Sequence, residues 1–235
     1  MTLLTDQKAG EALKNVMSTT MSTSSLQQDY VHNPSPQYDL KFWISMFNLK
    51  APTPSEWINA VLNDVDTFMV DHAACERKAS ATALSFTVRY PNRTELVKAM
   101  LHIALEELEH FSQVTHLIHQ RGGQLGHDRK DHYVRDLLKL VRGPSEERLI
   151  DRLLIFGVIE GRGCERFQIF AENVEDPELK TFYMDLVRAE ARHHASFIHQ
   201  VRKLTDEKTL KTRLEELLDA ESDIMLNLPI TAFLH

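Results

Sequence analysis

Residues 101–120 read LHIALEELEHFSQVTHLIHQ and residues 181–200 read TFYMDLVRAEARHHASFIHQ. Within them stand Glu107-Leu108-Glu109-His110 and Glu190-Ala191-Arg192-His193, two copies of Glu-x-x-His. Side chains three residues apart share one face of an α-helix, so each copy turns a carboxylate and an imidazole the same way. A single pair of this kind is common on solvated helices. Two pairs, each on the second helix of a predicted hairpin, are half of a known arrangement. A four-helix bundle that holds two metal ions takes one Glu from each of two helices and one Glu-x-x-His from each of the other two.

The flanking sequence supplies the helices. Thr53-Pro54-Ser55-Glu56 is a helix start, with a capping residue, a proline in the first turn and an acid near the positive end of the dipole. Trp57, Val61, Val65, Phe68, Met69 and Ala73 then recur at three- and four-residue spacing. The spacing predicts helix A over about 54–88, broken by Tyr90-Pro91-Asn92, and helix B over about 93–121, stopped by Gly122-Gly123. A connection over 124–144, with a short helix near 131–141, is long enough to cross the bundle. Helix C is expected over about 145–173. Asp176-Pro177-Glu178 starts helix D, which runs to about 204, and an amphipathic helix follows near 206–221. Two helix pairs joined by a crossover give an all-α, ferritin-like four-helix bundle with an extra C-terminal helix.

Composition agrees. With 43% hydrophobic residues and only 8 Gly and 8 Pro in 235 residues, the chain favours long helices around one core. Residues 1–50 differ: Met17 to Ser25 is rich in Met, Ser and Thr, and Asn33-Pro34-Ser35-Pro36 cannot lie inside a helix. They are read as a variable extension, loosely ordered over 1–36 and packed by its apolar residues over 39–48, ahead of a metal-binding domain over 51–235. Two cysteines, no stretch of 18 apolar residues and no apolar leader suggest a soluble cytoplasmic protein without a membrane span. A net charge of −7 argues weakly against nucleic acid, because a local basic patch can sit on an acidic protein.

The remaining carboxylates come from helices A and C. Residues at equal depth in an antiparallel hairpin are equidistant from its turn. Glu76 and Glu107 centre on Pro91-Asn92, inside the turn. Glu160 and Glu190 centre on residue 175, beside the Asp-Pro turn, whereas Glu165 and Glu190 centre on 177–178, about half a helical turn further along. Register favours Glu160. The repeated Cys75-Glu76-Arg77 and Cys164-Glu165-Arg166 favour Glu165, so the choice stays open. Four carboxylates and two imidazoles suit iron or manganese and balance two divalent cations. Other polar residues have plainer readings: His102, His116, His119 and His199 at the surface or behind the ligands, Glu106 and Glu109 facing solvent or arginines, and Cys75 and Cys164 in the core. Arg77, Arg162, Arg166 and Arg192 pair with nearby acids, and His194 cannot share the direction of His193.

At the segments 71–79, 107–111, 159–167 and 190–194, the chain resembles the bacterial tRNA 2-methylthio-isopentenyl-adenosine hydroxylases over about 52–204. The resemblance implies a non-haem di-iron monooxygenase with two Fe ions held by Glu76, Glu107, His110, Glu160, Glu190 and His193, where Glu107 and Glu190 bridge. It also implies use of O2 and an external electron donor, an unidentified reductase. The substrate would be the isopentenyl side chain of a hypermodified adenosine in the tRNA anticodon loop. Arg121, Arg129, Lys130, Arg135, Lys139 and Arg142 are then candidates for a basic tRNA surface. An iron- or peroxide-handling ferritin-like protein, or a di-iron hydroxylase with another substrate, would share the same ligands.

Overall fold

The computed structural model of the chain describes residues 47–143 and 145–235. The expected extension therefore falls, apart from residues 47–50, outside the described residues. The helices are α1 (Ser55–Asn63), α2 (Val65–Arg89), α3 (Thr94–Gln120), α4 (His132–Leu138), α5 (Ser145–Asn173), α6 (Pro177–Arg202) and α7 (Glu207–Asn227). No strand occurs among the described residues.

Local chemistry sets the boundaries. Asp176 accepts hydrogen bonds from the backbone N–H groups of Glu178 (2.9 Å) and Leu179 (3.3 Å), with Pro177 at the first helical position. Asp206 does the same for α7 through Lys208 and Thr209. Gly122 takes φ +80°, a left-handed conformation that a residue with Cβ adopts with strain, and Gly123 N–H then donates to Ile118 O (2.9 Å). The predicted helix A is two helices: Asp64 (φ −150°, ψ 63°) leaves the helical region and caps α2 through the Thr67 N–H. Thr53 does not cap α1. Its hydroxyl donates instead to Glu165 Oε2 (2.7 Å).

α2 packs along α3, and α5 along α6, as two antiparallel hairpins. Two apolar clusters show how the hairpins combine. One contains Phe68 and Ala73 of α2, Val114 of α3, Phe170 of α5 and Tyr183 of α6. The other contains Phe86 of α2, Leu96 and Met100 of α3, Leu149 and Leu153 of α5 and Phe197 of α6. Both α3 and α5 thus begin in the second cluster and end in the first. They run parallel, and the crossover that begins at residue 121 returns the chain to its starting end. This is the ferritin-like up-down-down-up arrangement. Residues 76, 107, 160 and 190 all fall between the two clusters.

The outer face of α5 carries a buried ionic network. Arg162, fully buried, donates from Nε and Nη2 to the two oxygens of Glu221 on α7 (2.8 and 2.9 Å), and from Nη1 to Glu165. Tyr133 of α4 donates to Glu221 (2.9 Å), and the Thr53 N–H donates to Glu165 (3.1 Å). One guanidinium thereby joins α5, α7 and the segment before α1. Removing one partner of such a group leaves buried charge uncompensated. Arg162→Ala is expected to destabilise the fold by about 3–5 kcal/mol, a fall in Tm of roughly 6–20 °C, measured by thermal denaturation followed by circular dichroism.

Candidate metal centre

Glu76 projects from α2, Glu107 and His110 from α3, Glu160 from α5, and Glu190 and His193 from α6. Their donor atoms form two groups, each drawn to within 4.8 Å: Glu76, Glu107, His110 and Glu190; and Glu107, Glu160, Glu190 and His193. Glu107 and Glu190 belong to both. His110 Nδ1 lies 3.7 Å from Glu76, 3.6 Å from Glu107 and 3.9 Å from Glu190. These gaps exceed an N–H···O bond. They match the ~3–4 Å between neighbouring ligands that each stand ~2 Å from one ion.

The cluster is short of partners. Glu107 Oε1 and Oε2, His110 Nδ1 and Glu190 Oε1 are buried and make no hydrogen bond, although His193 Nδ1 approaches Glu107 Oε1 to 2.9 Å. Buried polar atoms are nearly always satisfied, and these unsatisfied atoms all face one another. The donor set therefore fits a pair of hard or borderline cations.

Protonation in the metal-free chain reports the same crowding. Burial raises the Glu160 carboxyl well above its ordinary range, and the charges of Glu190 and Glu107 add to that. Burial and the Glu76 charge also raise Glu107. Burial pushes His110 down, but contacts with Glu107 and Glu76 outweigh it and carry the imidazole up to about 10. His193 is likewise pushed well up, by Glu106 and Glu107 against the effect of burial.

Supporting residues hold the ligands in place. Glu106, held as a carboxylate at about 2 against its burial by contact with His193, accepts from His193 Nε2–H (3.0 Å). That leaves Nδ1 of His193 turned to Glu107 and Glu190. Arg192 donates to the other oxygen of Glu106 (3.3 Å). On the opposite side, fully buried His72 bonds Glu76 Oε1 through Nε2. A carboxylate can only accept, so His72 Nε2 carries the hydrogen, and Nδ1 accepts from the Tyr183 hydroxyl (3.0 Å). Sequence reasoning missed these roles of His72, Tyr183 and Glu106. His72 was accessible to it, because it sits one helical turn before Glu76.

Glu165 is not in the cluster: it lies five residues from Glu160, roughly 140° around the helix, bonded to Arg162 and Thr53. His194 bonds Gly157 O through Nδ1 (2.6 Å). His102, His116, His119 and His199 are exposed, as expected. The proposed basic set is scattered. Arg142, partly exposed, pairs with Asp151 through Nε (2.9 Å) and Nη2 (2.8 Å) and with Glu147. Arg121 pairs with Asp66 and Asp176, and Arg135 and Lys139 both pair with Asp136. Arg129 lies over the Phe233 ring (4.8 Å), and Arg129 and Lys130 are exposed beside Asp131.

A cavity of about 110 Å³ opens from the cluster. Glu76, Glu107, Glu160 and Glu190 line it, its walls include Ala83, Ile103, Phe156 and Phe197, and Lys78, Asp131 and His235 also border it. A metal ligand must be an unprotonated imidazole, so loading has to displace the His110 proton. Below about 10 that proton is present. The apparent affinity for Fe2+ or Mn2+ is therefore expected to rise with pH across neutrality, by about tenfold per pH unit for each proton displaced. Calorimetric titration in buffers of different ionisation enthalpy reads the proton release directly.

A family model described as tRNA-(MS2IO6A)-hydroxylase (MiaE) matches residues 43–235. The tRNA 2-(methylsulfanyl)-N(6)-isopentenyladenosine(37) hydroxylase of Pseudomonas putida is 36% identical over 177 residues, which cover 75% of this chain and 86% of that protein. The protein of the same name from Salmonella typhimurium is 26% identical over 228 residues, covering 76% and 84%. Among solved structures, a Synechococcus protein described as having aldehyde deformylating oxygenase activity matches with a TM-score of 0.76 and 35% identity, over 80% of this chain and 94% of that one.

Proposed function

This chain belongs to the tRNA-(MS2IO6A)-hydroxylase family, and we propose that it is an O2-dependent hydroxylase of the isopentenyl side chain of 2-methylthio-isopentenyl-adenosine beside the tRNA anticodon. The observation that carries this reading is the pair of four-donor groups sharing Glu107 and Glu190 at the end of an apolar-walled cavity.

Glu76 and His110 would hold one iron and Glu160 and His193 the other, with Glu107 and Glu190 between them. When bound, the two irons supply the capacity to activate O2 with electrons from an external donor. The chain's own residues do the rest. Glu106 keeps His193 in the tautomer whose Nδ1 is free to ligate. The Tyr183–His72 pair fixes one oxygen of Glu76. Ile103, Phe156 and Phe197 give the cavity an apolar wall suited to a branched hydrocarbon group and unfavourable to water. The base must leave its stack to bring that group inside, and a splayed anticodon-loop nucleotide can do so. Arg129 and Lys130, exposed beside the cavity residue Asp131, would meet tRNA phosphates on this reading. Such a substrate would put the protein in the cytoplasm.

The similarity to the Synechococcus protein gives a second reading, oxygenation of an aliphatic aldehyde, because the same apolar walls suit an alkyl chain. Nucleoside mass spectrometry of tRNA from cells lacking the protein separates the two. Hydroxylated adenosine is expected to disappear and to return with the wild-type chain, but not with Glu160→Gln. The double reversal Arg129→Glu with Lys130→Glu is expected to retain bound iron yet restore little hydroxylation. An unchanged level of hydroxylated adenosine in the deletion strain defeats the tRNA reading.

A further inference from the structure

We propose that Cys75, Asp131 and His235 form a second, mononuclear site for a zinc-like divalent cation, at the border of the cavity and distinct from the Glu/His centre. The three donors come from different places: α2, the residue that caps α4, and the segment after α7. Their ligand atoms nevertheless converge to within 4.8 Å. Cys75 Sγ stands 3.9 Å from His235 Nδ1, which stands 3.4 Å from Asp131 Oδ2.

These are spacings of groups around an ion more than of groups bonded to one another. A tetrahedral ion with sulfur at about 2.3 Å and nitrogen or oxygen at about 2.0–2.2 Å keeps its ligands roughly 3.3–3.6 Å apart. The His235–Asp131 gap falls in that range and the Cys75–His235 gap lies a little beyond it, so that the sulfur would move in on binding. The imidazole-to-carboxylate gap exceeds the usual N–H···O range. A Cys–His–Asp proton relay is not available, because sulfur and carboxylate approach the same ring nitrogen, whereas a relay uses opposite ones.

The donors are held before any ion arrives. Asp131 commits its other oxygen, Oδ1, to the Val134 N–H (2.9 Å), which leaves Oδ2 for the site. His235 stacks on Tyr133, with ring centroids 4.9 Å apart at 16°. The residues before it are tied down as well: the Leu234 N–H donates to Asp71 (2.9 Å), Leu234 O accepts from Arg166, and Phe233 O accepts from Trp57 Nε1 (2.8 Å). The His235 side chain is only 6% exposed, and its Nε2 has no hydrogen-bond partner. On its Nδ1 edge the ring meets the Cys75 sulfur and the Asp131 carboxylate, the two other donors of the site.

The donor types choose the cation. A thiolate, an imidazole and a carboxylate make a borderline-soft set suited to zinc, unlike the all-oxygen-and-nitrogen Glu/His centre. Thiolate and carboxylate together balance a dication, and three protein ligands leave a fourth position. Bound there, the cation would clamp residues 233–235 against α2 and α4.

The inference does not rest on the hydroxylase reading, and its test is independent of activity. The full-length chain, stripped with a chelator and loaded with Co2+, is expected to show a thiolate-to-cobalt charge-transfer band in the near ultraviolet, equivalent to one ion per chain. Zn2+ should abolish the band. Cys75→Ala should remove it while cobalt at the Glu/His centre stays, and Cys164→Ala should leave it intact. Asp131→Asn and His235→Ala should each weaken cobalt binding at this site by about tenfold or more, with circular dichroism confirming the fold. A wild-type chain without the band, or a band that survives Cys75→Ala, overturns the proposal. Loss of metal at the Glu/His centre alone would instead count against the di-iron reading.

Discussion

Four glutamates and two histidines meet between two apolar clusters, and the other features of this bundle answer to the electrostatic difficulty that creates. Each carboxylate taken out of water costs several kcal/mol unless countercharge is near. Neither cluster offers any: the flanking residues are Phe68, Ala73 and Val114 on one side and Phe86, Met100 and Leu153 on the other. In the metal-free chain the strain appears as raised Glu107 and Glu160 carboxyls and as imidazoles that retain their protons. Two divalent cations would relieve it at once.

The same economy of charge separates the two faces of α5. Glu160 turns inward toward Glu190, while Arg162 and Glu165 turn outward to Glu221, Thr53 and Tyr133. The outward network is complete within the protein: every charge in it has a partner. The inward cluster is not. That contrast, between a satisfied buried ion network and an unsatisfied one a few residues away on one helix, distinguishes a structural use of buried charge from a ligand-binding use.

Much of this was legible in the sequence, because helix caps and turn residues act locally. Asp176-Pro177 and Gly122-Gly123 end or begin helices through bonds to their own neighbours, and the bounds of α5 follow from 145–173 as read. The break at Asp64 was not legible. Apolar spacing runs through it from Val61 to Val65, and Asp64 carries no Gly or Pro signal. Helix α7 extends to Asn227, past its expected end, because Glu221 is buried by pairing with Arg162, a long-range contact that leaves no periodic trace. The hairpin register pointed to Glu160. The Cys-Glu-Arg repeat pointed to Glu165, because a local repeat says nothing about which way a helix is rotated in the bundle. The pairing of Arg142 with Asp151 left no trace in the sequence for the same reason: only the folded chain brings the two together.

The central claim is that the six side chains converge on two cations. Anomalous diffraction at the iron edge, from crystals grown anaerobically with Fe2+, tests it most directly. The account predicts two peaks between α2, α3, α5 and α6, one beside His110 and one beside His193, with Glu107 and Glu190 reaching both. A map with no iron between these helices, and Glu107 paired instead with a protein cation, would contradict it.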